Sequence, residues 1–349
     1  MGSAGTPTWL DKLEEQLNVD VDWMDPEYIK GMPIVPHDQT SNQLWVDIQL
    51  GDDSNRELLL ETAKELKNDG WLAIYTRMAV LMCKKNINSI RGRVLLQTLP
   101  SNAFRFQETL DHARLYDKEF ARAGIGRDRY CIKIPSTGPA LNAAKVLSSE
   151  GIPTLGTALF SLPQAIACSQ AGMLYISPYY NGKLKIWDTK TPVFEVLAHD
   201  EPELWPNVKD PAVEHPIFIT VQEAMAAGEM GCHSATISHT VLNELAKLRY
   251  VASEQPGPDV PKPAHVYKDA PPVSDRLRKL LSIDPLAGPD WDGKLASTDV
   301  DYLADGGASL QNAIEADAVT KKRLADAMAL FTGGQERSRA KIEEVLPLV

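Results

Sequence analysis

The stretch YCIKIPST, residues 130–137, sets one ammonium group inside a run of apolar and β-branched residues. Side chains alternate along a strand, so Cys131, Lys133 and Pro135 point one way and Tyr130, Ile132 and Ile134 the other. A lysine on the inner side of a sheet loses water, and burial disfavours its charged form. The neutral amine that results attacks a carbonyl carbon and forms a Schiff base. From the strand pattern alone a second reading stays open, a lysine that reaches solvent or pairs with a buried carboxylate. Other reactive side chains are less organised. His233 and His239 flank a strand pattern with matching parity, but no third ligand stands near them at metal-binding spacing. His37-Asp38 and His199-Asp200 read as loop pairs. Cys83, Cys131, Cys168 and Cys232 form no C-x-x-C pair and are expected to stay reduced.

A lysine with this task needs a scaffold that puts strand ends around one mouth. Strand patterns fall at Asn18–Asp22, Pro33–Thr40, Arg93–Pro100, Arg129–Pro135, Pro153–Phe160, Met173–Tyr180, Pro216–Val221 and Ser234–Ser238. Helical patterns alternate with them at Asn55–Lys67, Phe104–Ala123, Gly138–Ser149, Leu162–Ala171, Val221–Ala227 and Thr240–Tyr250. Alternation of this kind predicts a parallel α/β fold, and eight strands match a closed (β/α)8 TIM barrel, here with extra C-terminal helices. Lys133 then lies near the carboxyl end of its strand, where barrel active sites are built. An open doubly wound sheet is the competing architecture, but neither a G-x-G-x-x-G nor a G-x-x-x-x-G-K-[ST] turn is present. The chain is read as a single domain over 1–349, with residues 15–250 as the barrel and 251–349 as a loop and helical extension packed on it. Within that extension, Ser253–Pro272 reads as loop and Ala318–Phe331 as helix. Gly333-Gly334 is expected to break that helix before a further exposed helix in Thr332–Val349.

Composition narrows the partners. The 349 residues are 44% hydrophobic and 24% charged, with a net charge of −11. That balance argues against nucleic acid and anionic membranes as partners. No apolar run is long enough to span a bilayer, and Met-Gly-Ser-Ala-Gly-Thr lacks the features of a signal peptide, so a cytoplasmic location is expected.

The run IKIPSTGPALNAAKVLSSEGIPTLGTALFSLPQAIACSQAGMLYISPYYNG, Ile132–Gly182, resembles the transaldolase family from its Schiff-base strand through the next two strands. NVDVDWMD resembles the first strand, HDQTSNQ the donor-binding turn, and TISHTVLNELAKL the last strand and helix, so the similarity extends over roughly 15–332. The resemblance implies a class I aldolase mechanism on a barrel, with no metal and no organic cofactor because Lys133 is itself the electron sink. It implies that Asp22 is the general acid/base and that Thr157 holds a proton-shuttling water. It further implies that Asn42, Thr40 and Ser177 line the substrate site, and the aromatic Tyr179 is read as a further substrate contact. The expected partner is a small ketone or aldehyde, within carbohydrate metabolism or a biosynthetic pathway. A homodimer is what the family suggests.

The sequence also departs from that family. Gln97 stands where transaldolases carry a water-orienting glutamate, as it does in the fructose-6-phosphate aldolase branch; an amide positions a water but cannot take its proton. Leu155 replaces an asparagine. Gln43 follows Asn42 where the family has proline, which predicts a looser turn. No arginine occurs between Arg129 and Arg249, the window for the family's phosphate clamps. Gly182 falls on one of those arginines, and Lys183 or Lys185 would offer only a point charge. Together with aromatic residues Phe160, Tyr179, Tyr180 and Trp187, this predicts a non-phosphorylated carbonyl substrate. The alternatives are a conventional transaldolase of the pentose phosphate pathway and a catalytically silent barrel that only binds.

Overall fold

The computed structural model describes residues 6–179, 221–229, 232–252 and 296–349. In chain order the first elements are α1 (Trp9–Gln16), β1 (Asn18–Asp22), α2 (Pro26–Gly31), β2 (Gln39–Thr40), α3 (Gln43–Leu50), α4 (Arg56–Leu66) and α5 (Trp71–Asn86). They are followed by β3 (Val94–Gln97), α6 (Phe106–Arg122), β4 (Tyr130–Pro135), α7 (Gly138–Ser149), β5 (Thr154–Leu159), α8 (Leu162–Gln170) and β6 (Tyr175–Pro178). The last are α9 (Val221–Glu229), β7 (Ser234–Ser238), α10 (His239–Lys247), α11 (Ala304–Ala316) and α12 (Ala318–Val345). Of the strand patterns, Pro216–Val221 lies outside the described residues except Val221, which begins α9.

The chain divides into two compact units, the larger formed by the described parts of Trp23–Pro178 and Thr298–Val349. Its strands lie parallel in the order β6-β5-β4-β3-β2. Parallel strands need crossovers, and helices from the intervening sequence supply them. One side of the sheet, Val94, Leu96, Ile132 and Ile134, is buried where α5, α6 and α7 pack. On the other side Leu95, Cys131 and Leu155 form an apolar cluster against Leu174 and Tyr175. The alternation expected of YCIKIP therefore holds, with isoleucines toward the helices and Cys131 and Lys133 toward the interior.

Several boundaries have local causes. Thr137 caps α7 by accepting from Ala140 N at 3.3 Å, and Pro139 fits the first turn, where its missing N–H is harmless. Asp317 caps α12 by accepting from the amides of Val319 and Thr320. The expected strand Pro33–Thr40 shortens to Gln39–Thr40, because Pro33 and Pro36 have no N–H for a ladder. The expected break at Gly333-Gly334 does not occur. α12 runs through both glycines for 28 residues, about 42 Å at the usual helical rise.

The smaller unit comprises the described parts of Met1–Asp22 and Tyr179–Ser297. In it β1 pairs parallel with β7, from Asn18 opposite Ser234 to Asp22 opposite Ser238. Thr8 and Asp11 make a reciprocal capping box at the start of α1, and Trp9 Nε1 donates to Arg249 O at 3.0 Å. Asn18 Nδ2 lies 3.1 Å from His233 Nε2, so that histidine is already engaged within its own strand pair.

Candidate active site

Strand register assembles the site in the larger unit. Gln97 pairs with Lys133, and Lys133 pairs with Leu155, so all three side chains leave the sheet on the interior side. Paired positions on neighbouring strands lie about 4.8 Å apart, which brings the Gln97 amide and the Lys133 stem side by side. One layer nearer the carboxyl end, Thr157 pairs with Pro135 and faces the same way. Lys133 is 3% exposed, Gln97 1% and Thr157 0%. Leu155 and Cys131 give the lysine apolar neighbours on its own layer and the one below, and burial pushes the Cys131 thiol up.

The polar atoms of these two layers are unevenly satisfied. The Lys133 carbonyl accepts from Thr98 N at 3.0 Å, which fixes its backbone. Both polar atoms of the Gln97 side chain and the Thr157 hydroxyl are buried with no hydrogen-bond partner among the described residues. A buried amide or hydroxyl is costly unless bonded, and exceptions cluster where a ligand or a working water belongs.

The other predicted residues are placed as follows. Thr40, 2% exposed, pairs with Leu95 and so shares the interior side. Asn42 is the N-cap of α3, its Oδ1 accepting from Leu44 N at 2.9 Å, so Nδ2 is the atom it can offer a ligand. Ser177 lies on β6, two residues beyond Tyr175, the partner of Leu155, and is half-buried. In the smaller unit Asp22 is the last residue of β1 and 1% exposed, and Tyr179 is 5% exposed. Tyr180, Gly182, Lys183, Lys185 and Trp187 lie outside the described residues.

Sequence reasoning missed a set of side chains that fasten the strand ends from behind. Gln43 is not a loosened turn residue. It is 1% exposed, and its Nε2 donates to Gln97 O at 2.9 Å and Thr98 O at 3.0 Å. Tyr116 Oη also donates to Gln97 O, at 3.3 Å. Gln164 on α8 does comparable work around Thr157: its Nε2 donates to Ser136 O and Ala158 O, and its Oε1 accepts from Phe160 N at 2.8 Å. Ala158, at the irregularity in the β5–β6 pairing, has φ 50, the left-handed region that L side chains disfavour. His112 Nδ1 accepts from Leu99 N at 3.1 Å, and its Nε2–H points to Thr76 Oγ1 at 3.3 Å. Burial pushes this imidazole down to about 3, so it is neutral. No motif marks these residues, because their partners are backbone groups on other strands.

Among the described residues no helix is long and apolar enough to cross a membrane. The sequence model of the transaldolase/fructose-6-phosphate aldolase family matches residues 19–270, well over half of the chain. The chain therefore belongs to the transaldolase/fructose-6-phosphate aldolase family, with the α/β barrel fold class and aldolase-type activity of that family.

Proposed function

We propose that the protein makes or breaks a carbon–carbon bond through a Schiff base on Lys133, and that its carbonyl substrate carries no phosphate. The observation that carries this reading is the pair of layers holding Lys133, Gln97 and Thr157, in which a buried lysine stands beside polar atoms that have no hydrogen-bond partner among the described residues.

In the proposed reaction the amine nitrogen of Lys133 attacks the carbonyl carbon of a ketone. The carbinolamine then loses water to give an iminium ion. Gln97 and Thr157 hold the water that carries protons on and off that oxygen; neither is a strong base, so they orient rather than ionise it. Asp22, by its match to the family motif, takes the proton from the substrate hydroxyl. The electron pair of the breaking carbon–carbon bond flows into the iminium and leaves an enamine, and an aldehyde departs. The enamine then either attacks a second aldehyde or is protonated, and water returns the lysine. Asn42 Nδ2, Thr40, Ser177 and Tyr179 are the proposed contacts to the donor hydroxyls and carbon chain. A small, soluble, phosphate-free carbonyl compound in carbohydrate or biosynthetic metabolism fits the arginine-free window between Arg129 and Arg249.

Borohydride reduction in the presence of dihydroxyacetone, followed by peptide mass spectrometry, tests the lysine. An adduct on Lys133 that disappears in Lys133→Ala is expected, with turnover lost. Full turnover by Lys133→Ala overturns the reading. The substrate is tested separately: efficient transfer between fructose 6-phosphate and erythrose 4-phosphate would make the protein a conventional transaldolase.

A further inference from the structure

Gln43 occupies the position where the family motif continues with proline, and the structure gives it two contacts that a proline cannot make. Both protons of its amide nitrogen go to the carbonyls at the end of β3, Gln97 O at 2.9 Å and Thr98 O at 3.0 Å. Its chain neighbour Asn42 caps the same helix. One side chain thus ties the residue proposed to hold the donor to the residue proposed to hold the catalytic water. The tie is backed from behind. At Gly334 of α12, a Cβ would lie 2.9 Å from the Gln43 carbonyl carbon and 3.0 Å from its oxygen, closer than side-chain atoms tolerate. The next residue of α12, Gln335, accepts from Ser101 N at 3.4 Å, in the turn that leaves β3. The long helix therefore seats on both sides of the same joint, and its glycine permits the approach.

We propose that Gln43 is a positioning residue that sets the spacing between Asn42 and Gln97, and that α12 holds it in place through Gly334. This rests on the Schiff-base reading of Lys133. Gln43 touches no reacting atom; it acts through the Gln97 backbone, which has no other side-chain tether than Tyr116 among the described residues. A displacement of about 1 Å in such a group is enough to slow a reaction a hundredfold.

The test is rapid-quench borohydride trapping of the Lys133–dihydroxyacetone adduct. Rates are normalised to the number of sites that become labelled at long times. Gln43→Met keeps length and burial but removes both donors. It is expected to slow trapping at saturating dihydroxyacetone at least tenfold, with the half-saturating concentration changed less than about threefold. Gln43→Glu is expected to recover part of that rate at low pH, where the protonated carboxyl donates one hydrogen bond, and to lose it as the pH rises. Gly334→Ala changes no polar group and is expected to slow trapping in the same direction by displacing the helix. A merely structural Gln43 would lower the melting temperature and the labelled fraction, but leave the rate per labelled site and its pH profile unchanged. That result, or wild-type rates in folded Gln43→Met, overturns the proposal while leaving the Schiff base intact. Absence of any Lys133 adduct in the wild type overturns both.

Discussion

Gln97 and Thr157 bring an amide and a hydroxyl into the interior with no partner among the described residues. A polar group in that position reduces stability unless a ligand or water meets it, so its removal should reveal opposite effects on folding and on turnover. Gln97→Met is expected to leave stability unchanged or raise it by about 1 kcal/mol in urea unfolding, while lowering kcat at least tenfold. Loss of both stability and activity would mean that the amide is held by the protein after all. His112 gives a second residue-scale prediction, on pH. Its folded pKa is depressed to about 3 from an unfolded value near 6.5, so below that value the unfolded chain binds a proton that the native state refuses. Its contribution is present in full above about 6.5 and falls away as the pH drops toward 3, by up to roughly 1.4 kcal/mol per unit. His112→Asn keeps an acceptor near the Nδ1 position for Leu99 N but cannot titrate. Its unfolding free energy should decline less steeply between pH 6 and 4. At this scale Lys133 was legible from the alternation of its own strand. Gln43, Gln164 and His112 were not, since a glutamine or histidine signals nothing until the carbonyls and amides it faces are placed by other strands.

The elements were readable where hydrophobic period and boundary residues agreed. Asn18–Asp22, Ser234–Ser238 and Gly138–Ser149 match the sequence patterns residue for residue. α5 was overlooked. Its buried residues include Ile74, Tyr75, Thr76, Met78, Ala79, Val80, Met82 and Cys83, which cover more than one side because α3, α4, α6 and α12 all pack on it. A helix enclosed in this way shows weak amphipathic contrast, and its N-cap is Gly70, φ 84, with no side-chain hydrogen bond to announce a start. The Ala158 irregularity was equally silent, since alanine carries no conformational signal. Replacing Ala158 with glycine removes the left-handed penalty of about 1–2 kcal/mol at the expense of chain entropy. Ala158→Gly should therefore be neutral or stabilising by up to about 1 kcal/mol in denaturant melts, in contrast to glycine elsewhere in β4 or β5. Marked destabilisation would show that the Ala158 methyl packs tightly enough to outweigh the strain.

For the whole molecule, the C-terminal segment changes most between sequence and structure. Gly333-Gly334 reads as a break because glycine weakens helices, yet packing against α3 overrides that propensity. Asp47 on α3, its side chain 6% exposed, accepts from Arg337 Nε at 2.6 Å and also pairs with Lys341. These ion pairs are partly exposed at the cationic end, so each contributes modestly. Asp47→Ala is expected to cost about 1–2 kcal/mol in chemical unfolding and to increase proteolysis of α12. An unchanged cleavage pattern would show that apolar packing alone retains the helix. The same geometry limits how this region can change in length. Between the Asp317 cap and the Gly334 seat, each inserted residue turns the helix by 100° and advances it by about 1.5 Å. One deleted residue would present the Gln335 side chain to Gln43 in place of hydrogen, and one inserted residue would bring Gly333 there but turn Arg337 and Lys341 away from Asp47. Seven inserted residues would bring the seat round to within about 20° but move it by about 10 Å. The distance from residue 317 to residue 334 is thus a measured spacer, and insertions or deletions should be tolerated beyond Val345, past the last buried residues of the helix, but not within it.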